Sequence, residues 1–147
     1  MSACVKCGHD PDAVVERHWQ FTLPLELESL NAHRVNSGAT RWSYKRKRDG
    51  WAMALRATVP RAILAANGKR RVTLTRLMGK GQRAFDRDNL VGGAKGLVDA
   101  MVRVGLLLGD SAEHAEIHYD QERAATPGVR VLVEELLDSR IDTEVKR

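Results

Sequence analysis

The sequence predicts an α/β chain of the α+β kind: a small mixed β-sheet packed with two main helices. Three observations predict it. Arg71 to Met78, Ala115 to Arg123 and Gly128 to Leu136 alternate or cluster apolar residues as strands do. Two longer stretches, Trp42 to about Leu64 and Asp88 to Val104, carry apolar residues at helical spacing. At 147 residues, 43% hydrophobic and 29% charged, the chain is large enough to close one core without disulfide staples.

The elements follow in order. Trp19 to Leu27 (WQFTLPLEL) reads as a first strand, with Pro24 at an edge or bend. Ser29 to Thr40 is rich in Asn, Ser and Gly and reads as loop. In the first helix Trp51, Ala54, Leu55 and Thr58 share a face, and Pro60 breaks or restarts it. Asn67-Gly68 is a turn before the strand Arg71 to Met78, and Gly79 to Arg87 is a basic loop. In the second helix Leu90, Ala94, Leu97, Met101 and Val104 make one apolar face. Asp86 or Asp88 can cap that helix, Gly105 is placed to end it, and Gly92-Gly93 weaken its first turns. The short link Ala124 to Pro127 predicts that the last two strands form an antiparallel hairpin. The expected organisation is an N-terminal extension over 1–18, one domain over 19–137 and a polar, fraying tail over 138–147.

No apolar run approaches the roughly 20 residues of a membrane span, so no membrane partner is expected. The start, MSACVKCGHD, lacks the basic-then-apolar order of a secretory signal. Two cysteines three positions apart suit a reducing compartment, and the expected location is cytoplasmic.

Charge is uneven along the chain. Residues 34–87 hold 15 Lys and Arg against two Asp and Glu, whereas 1–33 and 88–147 are net −3 and −5. A block of net +13 in a compact chain repels itself unless it faces a polyanion, and nucleic acid is the expected partner. Lys45, Arg46, Lys47, Arg48, Lys80, Arg83 and Arg87 are the candidate DNA contacts, the plain alternative being a solvated basic face. Tyr44, Trp42 and Trp51 stand beside the block, where aromatic rings can stack on unpaired bases, although Trp51 lies on the helix's apolar face and suits the core.

Asp86-Arg87-Asp88-Asn89 closes that basic stretch. Carboxylates beside a phosphate-binding surface repel the ligand unless a cation bridges the two, and Mg²⁺ takes oxygen ligands while keeping waters. Asp110, in the loop beyond the helix, is a candidate third ligand. Asp88, Lys95 and Asp99 fall on one helical face, so Lys95 can orient a phosphate or pair with Asp99 at i,i+4. Helix capping and turn formation are the ordinary alternatives for all three aspartates.

The run from Asp86 to Asp110, DRDNLVGGAKGLVDAMVRVGLLLGD, resembles the core signature of the RusA-type Holliday-junction resolvases. The likeness covers about residues 84 to 121 and extends weakly upstream through Asn31 and His33. It implies a dimeric, Mg²⁺- or Mn²⁺-dependent endodeoxyribonuclease, usually prophage-encoded, that cuts four-way DNA junctions in recombination and repair. It implies catalytic roles for Asp86, Asp88, Lys95 and Asp110, metal ligation by the three aspartates, and support from Asn89 and Asp99. Two departures stand out. Gly109 occupies the first place of the family's acidic pair, and Val91-Gly92-Gly93 looks inserted, moving Lys95 about 5 Å along the axis on the same face.

Cys4-x-x-Cys7-x-His9 has the spacing of half a zinc knuckle, with His18 as a fourth donor. A structural Zn²⁺ site brings a second ligand pair, which is missing, so the reading goes against zinc. Gly79-Lys80-Gly81 lacks the remainder of a phosphate loop. His114 and His118 read as structural or surface residues. The alternative to a nuclease is a non-catalytic basic nucleic-acid-binding protein, such as a phage regulator, whose aspartates cap a helix.

Overall fold

In the computed structural model of this chain the described residues are 14–29 and 37–136. They form β1 (Val15–Leu23), α1 (Ser37–Thr58), β2 (Arg70–Met78), α2 (Arg87–Gly93), α3 (Lys95–Arg103), β3 (Ala115–Arg123) and β4 (Gly128–Leu136). The strands make one mixed sheet in the order β1-β4-β2-β3. β4 runs antiparallel to β1 and β2, and β2 and β3 are parallel. The mixed sheet and its helices are those the periodicity predicts.

The expected C-terminal hairpin does not form. β3 and β4 have the predicted bounds, yet β2 lies between them. The link 124–127 steps over the end of β2 instead of folding back. The Ala124 N–H donates to the Met78 carbonyl at 3.0 Å, and a Cβ on Gly79 would lie 2.7 Å from the Pro127 ring. The exchange has a physical reason. β4 (GVRVLVEEL) buries Val129, Val131 and Val133 completely and suits the centre, whereas β3 (AEIHYDQER) is charged and suits an edge.

Two other boundaries move. β1 ends at Leu23, because Pro24 has no N–H for the ladder, and it starts at Val15, inside the segment expected to be an extension. Leu27 is buried in the irregular stretch that follows. α1 begins at Ser37, so the last four residues of the expected loop are helical. It stops before Val59, whose position ahead of Pro60 disfavours helix, and Pro60 to Leu64 form turns.

The second helix is interrupted only at Ala94. The Ala94 N–H still donates to the Leu90 carbonyl, and the Ala94 carbonyl accepts from Val98. Its far end closes as a Schellman motif. Gly105 (φ +90°) donates to Val102 at 3.1 Å and Leu106 donates to Met101 at 2.9 Å. The predicted face is the buried one: Leu90, Ala94, Leu97 and Met101 pack with Trp51 and Leu55 of α1 on Val72, Leu74 and the β4 valines.

Candidate functional site

Two features meet on the helical side of the sheet: a pinned loop that ends in Asp86, and a groove between α1 and the α2–α3 rod. The loop leaves β2 at Gly79 and turns at Gly81, whose φ of +85° glycine tolerates. Arg76 shares its strand face with Val72 and Leu74, so its guanidinium is buried at 5% exposure. It lies 3.6 Å from the centre of the Phe85 ring and donates to the Arg83 carbonyl (2.9 Å) and to Gln121 Oε1 (3.1 Å). Burial lowers its pKa, and the Glu26 carboxylate opposes that shift. Gln121 of β3 clamps Phe85 by accepting its N–H and donating to its carbonyl, both at 2.8 Å. Arg123 donates to the Gln82 carbonyl at 2.6 Å.

The clamped loop delivers Asp86 to the helix start. Its backbone is extended (φ −68°, ψ 167°), Oδ1 accepts the Asn89 N–H at 2.8 Å, and Oδ2 accepts Asn89 Nδ2 at 3.0 Å. Of the two aspartates proposed as cap, Asp86 is the one that does it. Asp88 stands exposed in the first turn, where a negative charge complements the helix dipole. Asn89 therefore supports Asp86.

The groove encloses about 700 Å³. One wall is the segment after β1, with Pro24, Leu25, Glu26 and Glu28; the other is α1, with Tyr44, Arg46, Lys47 and Trp51. The rod contributes Gly92, Gly93, Lys95 and Gly96. Gly93 is forced, since a Cβ there would overlap the Glu28 carbonyl oxygen. Tyr44 donates to Asp99 Oδ2, tying α1 to α3. Burial and then that bond push its pKa up to about 12, so the phenol stays neutral.

The basic residues divide. Lys45 and Arg46 are exposed on α1. Lys47 pairs with Glu28, and Arg48 lies 5.9 Å from the centre of the Tyr44 ring. Lys80 and Arg83 are exposed in the loop, and Arg87 opens α2 with its charge acting on Tyr119. Lys95 is exposed in the groove and does not pair with Asp99, whose carboxylate is taken by Tyr44. Trp51 is 5% exposed, in the core as expected, and also lines the groove. His118 bonds Glu116 at 2.6 Å, and His114 packs at Gly109. Cys4, Cys7, His9, Asn31 and His33 lie outside the described residues.

The three aspartates are not brought together. Phe85 is bonded to Gln121 near the end of β3, whereas Asp110 precedes Ala115 at its start. Ala115 and Gln121 are separated by about 20 Å of strand, and the rod runs from Phe85, beside Arg76 late in β2, back to Leu106, whose carbonyl accepts from Arg70 at the start of β2. Asp86 and Asp110 thus belong to opposite ends of the sheet. Among the described residues no three His, Cys, Asp or Glu are grouped to hold a metal. Asp86 and Asp88 alone still suit Mg²⁺ by donor chemistry, since that ion is often held by one or two carboxylates plus waters and phosphate.

Arg76, Gln121, Glu26 and Glu28 escaped the sequence reading. Arg76 was detectable: strand alternation gives it the parity of Val72 and Leu74, which points a charge inward. Gln121 and the two glutamates carry no such signal. The chain matches no model of a known protein family and no curated protein sequence. Among the described residues no helix is long and apolar enough to cross a membrane.

Proposed function

We propose that this protein is a metal-dependent, structure-selective endodeoxyribonuclease that acts on four-way DNA junctions, in the manner of the RusA-type resolvases it resembles. The observation that supports it best is the α2–α3 rod itself. It starts at Asp86 and Asp88 and runs into the groove one turn later at Gly92, where it contributes Lys95 and α1 contributes Arg46. Carboxylates and an exposed cation on one rod are what a hydrolase of phosphodiesters needs.

Asp86 and Asp88 would hold Mg²⁺ or Mn²⁺, which when bound supplies a Lewis acid and a water of lowered pKa. Lys95 neutralises charge on the phosphate, Asn89 orients Asp86, and the Arg76–Gln121 clamp keeps the helix start in place. Arg46 and Lys45 draw in the DNA backbone. A homodimer would present two such sites to the two strands of a symmetric junction, in a cytoplasmic setting.

Asp86's role as a cap and the distance of Asp110 favour a second reading, a basic nucleic-acid-binding protein without catalysis. One experiment separates them. A labelled four-way junction and a matched linear duplex are incubated with the protein in Mg²⁺ and in EDTA. The nuclease reading expects metal-dependent cutting of the junction alone. Tight binding with no cutting in Mg²⁺ or Mn²⁺ leaves the binding module.

A further inference from the structure

The groove is larger than holding a phosphate on Lys95 requires. At about 700 Å³ it falls in the range of pockets that enclose a small organic molecule. Four of its lining residues, Gly50, Gly92, Gly93 and Gly96, have no side chain to fill it. Two aromatic rings of α1 face the rod here: a Cβ on Gly96 would lie 3.8 Å from Tyr44 and 3.9 Å from Trp51. Two cations of the lining are exposed. Arg46 and Lys95 make no ion pair among the described residues, whereas Lys47 already neutralises Glu28. A groove lined by aromatic rings and by two exposed cations outside any ion pair complements a planar ring attached to an anion.

We propose that the groove receives one unstacked nucleotide of the bound DNA, its base against Tyr44 and its phosphate at Arg46 and Lys95. The inference rests on the DNA-binding part of the function proposed above and names what the site reads: an extruded base. Such a base is cheapest to supply where stacking is already broken, as at a branch point or in a single strand. Glu26 offers an acceptor for an exocyclic amine. The pocket would then bias the protein toward branched DNA over continuous duplex.

Photocrosslinking tests this without requiring cleavage. A 5-iododeoxyuridine is placed at the branch of a four-way junction, or within a matched uninterrupted duplex, and irradiated with the protein in EDTA. The adduct is then mapped by mass spectrometry. The expected adduct is on Tyr44 or Trp51 with the junction and absent with the duplex. Gly50→Leu should cut its yield about tenfold, the scale of losing one stacked base. Gly50 lines the groove and has nothing within 4 Å of its Cβ position, so the leucine side chain starts from open space. An adduct outside the groove, or a yield unchanged by Gly50→Leu, overturns the proposal, and the wild-type adduct decides it even if the variant fails to fold. Parallel incubation with Mg²⁺ keeps the two readings apart. Cleavage with an adduct elsewhere sinks the groove alone. A groove adduct without cleavage sinks the nuclease alone.

Discussion

Asp86 and Asn89 close a ring at the start of α2, with both carboxylate oxygens accepting from the same asparagine, one from its backbone and one from its side chain. The aspartate that the resemblance marks as a metal ligand is therefore also the helix cap. The cap and the proposed metal role separate by substitution. Asp86→Ala should cost about 1 kcal/mol in urea unfolding, the usual worth of a cap, and Asp86→Asn much less. Both should abolish junction cleavage while junction binding holds or tightens, because a charge repelling DNA is removed. Asp110→Asn should leave cleavage intact, since Asp110 belongs to the other end of the sheet. Its loss of cleavage, measured on the same junction, would restore the three-aspartate site.

The basic block is unequal in its expected contributions. Lys45 and Arg46 are exposed, whereas Lys47 and Arg48 are engaged with Glu28 and Tyr44. Lys45→Ala and Arg46→Ala should each lower the slope of log affinity against log salt by about one. Lys47→Ala should change the slope less. Equal slopes for all variants, in a fluorescence-anisotropy salt series, would remove this part of α1 from the DNA footprint.

Gly50 and Gly93 should respond to alanine with opposite signs. Gly50 sits in α1 with open space at its Cβ position, so Gly50→Ala should stabilise by about 0.5–1 kcal/mol. At Gly93 the added methyl meets the Glu28 backbone, which cannot yield as a flexible side chain would, and Gly93→Ala should destabilise by about 1–3 kcal/mol or more. Thermal unfolding of the two variants gives the signs.

Removing Arg76 should loosen the loop that presents Asp86. Arg76→Met keeps the apolar stem but leaves the Arg83 carbonyl and Gln121 Oε1 without their charged donor. A loss of about 2–3 kcal/mol is expected, the scale of hydrogen bonds to a charged group. Cleavage should fall more than junction affinity, because the loop positions the helix start and adds few phosphate contacts. Equal falls in both would mean that Arg76 serves stability alone.

The Tyr44–Asp99 bond gives a test at high pH. Tyr44 has a folded pKa of about 12 against 10 for a free phenol. A raised pKa means that the folded state favours the protonated phenol. Its stabilising contribution is complete below pH 10 and is lost as pH rises towards 12. Burial also raises Tyr119. Phenolate absorbance at 295 nm should therefore lag free tyrosine in the wild type, and Tyr44→Phe should flatten the fall in stability above pH 10. A wild-type titration that tracks free tyrosine would show that the bond is not held in solution.

The sequence by itself determined the elements and their inward faces. The spacing of Leu90, Ala94, Leu97 and Met101 states which side of a helix is apolar, and the alternation in β2 states which side of a strand is. These are local properties, written within a dozen residues. An N-cap three residues before its partner, as with Asp86 and Asn89, is equally local, as is the Gly105 stop. Strand partners are not local. A four-residue link closes a hairpin or steps over one strand at similar cost, and only competition among β1, β2, β3 and β4 for the buried centre put β4 beside β2. The groove has the same origin, because Glu28, Tyr44 and Gly93 meet only once the helices pack. The separation of Asp86 from Asp110 was also decided there. Their spacing along the chain is fixed, but a rod running antiparallel to β2 and β3 carries one to each end of the sheet.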